Sequence, residues 1–293
     1  MDETYPHLIM QVHVRQINRI IYTQVQKEEH YMNRPEETRD TILYTLILLA
    51  TLIAFGAIFV VIHEFIHSTT AYLLGHMRSP LDIEWGNLLT LEGWDEGVSY
   101  STMFNAGQGI DAAIIAASPL IFQTCVVICG MYFLLSGSLI QKRWIFHLIY
   151  WLVIVNFMEL IAYMPGRAFS LHGDIGNINH GLGLNPWLFF LVLTSLVLIG
   201  LYILFRRILP LMYAVVARES RQIRYVILIF SVFYLFIFRG SIRGALNFSP
   251  DMEWVTGLFG YAACIVVLYF CRPGMSWVID SEKQCEIAIN NGT

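Results

Sequence analysis

Residues 41–62 read TILYTLILLATLIAFGAIFVVI, 22 residues without a charge, and the next five are His63-Glu64-Phe65-Ile66-His67. An α-helix rises 1.5 Å per residue, so about 20 apolar residues cross the hydrocarbon core of a bilayer. The run is long enough to span, and the polar pentapeptide falls where the helix leaves the apolar layer. Five more apolar segments follow, at 112–135, 144–164, 187–205, 225–238 and 254–270. The segment at 225–238 is short, but Arg224 and Arg239 flank it and can snorkel outward. The fold class expected is an all-α integral membrane protein of about six transmembrane helices.

Composition agrees with this reading. Of 293 residues, 56% are hydrophobic and 14% charged, against roughly 25% charged in a soluble domain. Mean hydropathy is +0.58. The net charge of −4 and the lack of a Lys/Arg cluster give no footprint for nucleic acid. The five cysteines form no C-x-x-C pair, and no disulfide framework or cysteine metal site is expected. Residues 1–40 are polar and mixed in charge, so the first apolar run is expected to act as a signal anchor. Val12, Ile17, Ile20, Ile21 and Val25 suggest an amphipathic helix there, on the membrane or in solution.

With six spans, the segments 1–40, 136–143, 206–224 and 271–293 share one side and hold 14 Lys/Arg; the segments 76–111, 165–186 and 239–253 hold 4. Basic residues favour the cytoplasm. Both termini are expected inside, with His63 and His67 at the outer end of the first helix.

The chemistry sits in the pentapeptide. Histidines four apart on a helix share a face, so both imidazoles can reach one metal ion. Glu64 is not needed as a ligand and can take a proton from water and deliver it to a leaving amine. The alternative is a set of polar residues meeting water at an interface. Placing two His and a Glu at a membrane helix end is costly unless they have a use.

From His63 to Gly75 the chain reads HEFIHSTTAYLLG. This resembles the site-2 protease family of intramembrane zinc metalloproteases, whose motif runs H-E-x-x-H-x-x-x-A with a small residue or Gly a few positions on. Ala71 and Gly75 fit it. Ala117-Ser118-Pro119, in the second apolar segment, is similar to the family's small-residue break. The resemblance covers about residues 41–187 and implies a three-helix catalytic core there. The apolar segments of 188–270 carry no diagnostic motif and are expected as additional membrane helices, and the charge bias makes 271–293 a cytosolic tail. It implies one zinc ion per chain and a transmembrane protein as substrate.

The family's third zinc ligand is an Asp in N-x-x-P-x-x-x-x-D-G. Here Asn156 starts a similar stretch, NFMELIAYMPGR, but Met164 stands where the Asp would fall. Asp174, in Leu171-His172-Gly173-Asp174-Ile175-Gly176, follows the third span on the same side as His63 and is the candidate third ligand. Glu159 and His172 are rivals, and Asp174 as a helix cap or turn is the structural alternative. Two His, one carboxylate and an open position for water form a catalytic zinc pattern. By resemblance Asn156 would hold the substrate backbone; an interhelical hydrogen bond is the other reading. His147 reads as a packing or interfacial residue.

The loop at 76–111 alternates like strand around 82–85 and 97–101, with turn residues Gly86, Asn87 and Gly93. A small membrane-associated β-hairpin is expected there, either as a surface hairpin or as an edge that pairs with an unwound substrate. Function is expected to be zinc-dependent hydrolysis of a peptide bond in or beside the bilayer. Hydrolysis of a lipid amide or ester is the rival chemistry, and a non-enzymatic regulatory relative is the rival class.

Overall fold

The computed structural model describes residues 35–87, 93–170, 172–238 and 253–281. The N-terminal amphipathic segment up to residue 34 and the tail from residue 282 lie outside the described residues.

The apolar runs become helices because a backbone in hydrocarbon must satisfy its own polar groups. They are α1 (Pro35–Leu73), α2 (Tyr100–Asn105), α3 (Gly109–Leu135), α4 (Arg143–Tyr163), α5 (Gly173–Leu182), α6 (Pro186–Ile203), α7 (Leu209–Val216), α8 (Arg221–Phe233) and α9 (Glu253–Phe270). A π-helical turn at Leu204–Ile208 joins α6 to α7. It lies beside Pro210, whose missing N–H interrupts the hydrogen-bond ladder. A second π-helical turn, Tyr234–Phe238, extends α8.

Among the described residues, five helices are long and apolar enough to cross a membrane: Glu36–Leu73, Gly109–Leu135, Arg143–Tyr163, Pro186–Val216 and Arg221–Phe238. The segment expected to be shortest reaches spanning length because its helix starts at Arg221 and continues through the π turn. The sixth apolar stretch, Gly257–Phe270, is shorter than the others. Ile42, Leu46 and Ile53 on α1, and Leu188, Leu191 and Leu198 on α6, point away from the protein. An apolar rim on this scale suits lipid rather than water.

The core lies around α4. Phe146, Tyr150, Trp151, Val153 and Ile154 are fully buried, and α4 packs against α1, α3, α7 and the 234–238 turn. Gly130 lets α3 approach α4 closely at Val153. At the other end of α3 a second small pair, Gly109 and Gly181, brings α3 and α5 into backbone contact. A Cβ on Gly109 would lie 3.0 Å from the Gly181 carbonyl oxygen. This crossing carries the short helix α5 to the C-terminal end of α1.

The loop expected to be a hairpin is different. Its described residues form one isolated antiparallel bridge, Glu84 with Asp95, and no strand forms among the described residues. Residues 100–105, of which the first two alternate on paper, are the helix α2. Burial of Met103 against Ala71, Ala112 and Ile115 sets that choice, since tertiary packing overrides a short period-2 pattern. All four described cysteines are free thiols.

Candidate metal centre

Helix α1 continues about three turns beyond its apolar run, and this extension carries His63 and His67 on one face. The second residue of α5 is Asp174, a first-turn position where the helix dipole favours a negative charge. All three side chains are buried. His63 Nε2 and His67 Nε2 are 3.1 Å apart, Asp174 Oδ2 is 3.2 Å from His63 Nε2, and Asp174 Oδ1 is 3.4 Å from His67 Nε2. Zinc bonds of about 2.0–2.1 Å in a tetrahedron place neighbouring ligand atoms about 3.3 Å apart. The three side chains therefore outline one face of such a tetrahedron.

The donor chemistry fits the same ion. Asp174 Oδ2, 3.2 Å from His63 Nε2, has no hydrogen-bond partner among the described residues. Burial opposes the charge on Asp174, but the imidazoles of His67 and His63 outweigh it and hold the carboxyl well below the usual carboxylate range. His67 Nδ1 lies 2.9 Å from the Ile115 carbonyl oxygen. A carbonyl only accepts, so Nδ1 carries the proton, and in the neutral ring Nε2 presents its lone pair to the site.

That carbonyl is available because of Pro119. The residue four places on would normally donate its N–H to Ile115, and proline has none. Ile115 accepts from His67 and from Ser118 Oγ at 2.7 Å instead. The Ala-Ser-Pro break in α3 thus orients a histidine on α1. Ala71, one turn beyond His67 and fully buried against Ile115 and Ala112, lets the two helices meet closely enough for this.

No protein-family model, curated protein or solved structure matches this chain. The chemistry of the site is read from its own residues.

Glu64 is also buried, beside the two histidines. Glu96, on the loop before α2, joins Glu64 and His67 in a second cluster, with ligand atoms within 4.8 Å of one another. The Tyr100 hydroxyl donates to Glu96 Oε1 at 2.5 Å. Burial, and then the Glu96 carboxylate, hold the Tyr100 phenol far above its ordinary value, so it remains a donor. Sequence reading misses Glu96 because Trp94-Asp95-Glu96-Gly97 looks like any solvated acidic turn. Its one signal is the spacing to Tyr100, four residues on, on the helix that follows.

The other candidates are placed elsewhere. His172 is exposed at the N-cap of α5. Glu159 is buried in α4 and belongs to neither metal-capable cluster. Asn156 is fully buried, and its Nδ2 donates to the Leu152 carbonyl of its own helix at 2.9 Å. Its Oδ1 has no hydrogen-bond partner. His147 is fully buried between Tyr44 and Thr51 of α1, a packing residue as expected.

Proposed function

We propose that this chain is an intramembrane zinc metalloprotease that hydrolyses a peptide bond of a membrane-protein substrate. One observation carries the reading: His63, His67 and Asp174 converge at the end of a membrane-length apolar helix, with Glu64 buried beside them. Zinc held by such a set supplies Lewis acidity to a carbonyl and to water. His63 and His67 hold the ion as neutral imidazoles, the second oriented by Ile115. Asp174 contributes a charge and draws α5 against α1. Glu64 accepts a proton from the attacking water and returns it to the amine as the C–N bond breaks. A substrate helix must be unwound first, since its carbonyls are already hydrogen-bonded. With the shorter sixth stretch crossing as well, both termini lie in the cytoplasm and the site faces the opposite side, which the basic-residue bias supports.

The test compares membrane proteomes of cells carrying wild type or Glu64→Gln. Gln keeps the size and loses the base, so the variant should keep its zinc while turnover drops on the order of 10²–10⁴-fold. Uncleaved precursors should accumulate. Near wild-type cleavage by zinc-loaded Glu64→Gln would remove Glu64 as the base, and released fatty acid in place of peptide would mark a lipid hydrolase. Orientation is tested with single cysteines at the exposed Ser99 and Ser138, in a background without native cysteines. An impermeant thiol reagent outside should label the first and spare the second; the reverse pattern inverts the topology.

A further inference from the structure

Of the second cluster, Glu64, His67 and Glu96, only Glu96 has no part in the reaction above. Glu96 is 6% exposed, while its neighbours Asp95 and Gly97 face solvent. The chain is built to aim it inward. Gly97 turns the backbone at φ +68°, a conformation that side chains disfavour. The Glu84–Asp95 bridge and the edge contact of Trp85 with Trp94 close the loop behind it. Ser68, one residue past His67, donates to the Pro80 carbonyl at 2.8 Å and ties the start of the loop to α1.

Three buried carboxylates, Glu64, Glu96 and Asp174, thus meet around two imidazoles. Buried charge of one sign is stable only when paired or bound to a cation. The two metal-capable clusters share His67. With Nδ1 committed to Ile115, that ring has one nitrogen left, and one lone pair serves one ion. The clusters therefore describe two sides of a single ion position. A hydrogen bond from Tyr100 holds Glu96 Oε1, the kind of contact that orients ligating carboxylates, and the neighbouring Asp95 carboxyl also reaches the Glu96 carboxylate.

We propose that Glu96 is a fourth, displaceable ligand of this metal centre, which closes it in the resting chain. Four protein ligands make a closed site, and three with an open position make a catalytic one. Glu96 must then leave the ion before a substrate carbonyl reaches it, and its displacement is the step that admits substrate. This rests on the metal reading above and adds a regulatory residue to it.

The test uses full-length protein in detergent, loaded with cobalt in place of zinc, with acetohydroxamic acid as a small probe of the open position. Wild type should show four-coordinate absorption and bind the probe weakly. Glu96→Ala and Glu96→Gln should change the spectrum, bind the probe at least tenfold more tightly, and weaken the metal by on the order of tenfold. Tyr100→Phe keeps the carboxylate and loosens its hold, so it should fall between them and covers the case of a poorly folded Glu96 variant. Unchanged spectrum and probe affinity in all three variants would overturn the proposal while leaving the metal centre intact. Complete loss of metal in Glu96→Gln would make Glu96 an obligatory ligand and overturn its displacement. A wild type that binds no cobalt, or binds it equally after His67→Ala, would instead defeat the metal reading itself.

Discussion

Helix α1 meets two buried imidazole environments, one near each end, and they differ in what surrounds the nitrogens. Around His147 the partners are hydroxyls. Thr51 Oγ1 donates to Ile47 at 2.8 Å, so it accepts from His147 Nε2 at 3.4 Å. The Tyr44 hydroxyl then donates to Nδ1 at 3.2 Å. One neutral tautomer satisfies both contacts, and nothing further is needed. Around His63 and His67 the facing nitrogens meet each other and buried carboxylates, one of which, Asp174, has an oxygen with no hydrogen-bond partner among the described residues. No arrangement of neutral rings satisfies that set without a cation or an added proton. Burial alone does not distinguish a ligand histidine from a packing one; the complementarity of its partners does.

The sharpest way to break this contrast is to remove the rings in turn. His63→Ala and His67→Ala should take bound zinc from about one per chain to none. His147→Ala should keep full zinc and lose stability, by about 1–3 kcal/mol from the hydroxyls left unpaired. Metal analysis and thermal melts of the purified proteins check this, and zinc lost only in His147→Ala would reverse the assignment. A smaller effect separates ligand from support. Pro119→Ala restores an N–H that competes for the Ile115 carbonyl, so zinc affinity should fall about 10–100-fold, the usual range for an orienting partner. Chelator competition reads it, and unchanged affinity would mean that the carbonyl does not steer His67. The smallest effect belongs to the long Thr51 contact: Thr51→Val should cost about 0.5–1.5 kcal/mol with zinc untouched.

Legibility followed the range of the forces involved. The membrane helices show in the sequence because their apolar runs are local, and His63, Glu64 and His67 because a helix fixes their spacing. Asp174 was reachable from topology: it follows the third span on the side where α1 ends. What stayed hidden depends on contacts between distant segments. Tyr100 belongs to a helix because Met103 finds a pocket on α1 and α3. Ile115 carries no chemical signal, and its role appears only where Pro119 and His67 face each other. Glu96 is an ordinary loop acid until the loop folds back. The short helix α5 has no strong pattern and is held by the glycine crossing with α3.

Asp174 and the histidines arrive from segments about 100 residues apart, and that separation has a thermodynamic consequence. An ion gripping both is a crosslink between α1 and α5, made only in the folded chain. Its binding free energy then adds to the bundle's stability as RT ln(1 + [Zn]/Kd), about 1.4 kcal/mol for each tenfold rise in free zinc above Kd. The α1–α5 end of this protein would thus be as firm as the zinc supply of its compartment allows. Zinc starvation would loosen the contact between α1 and α5 first, well before the core around α4 gives way.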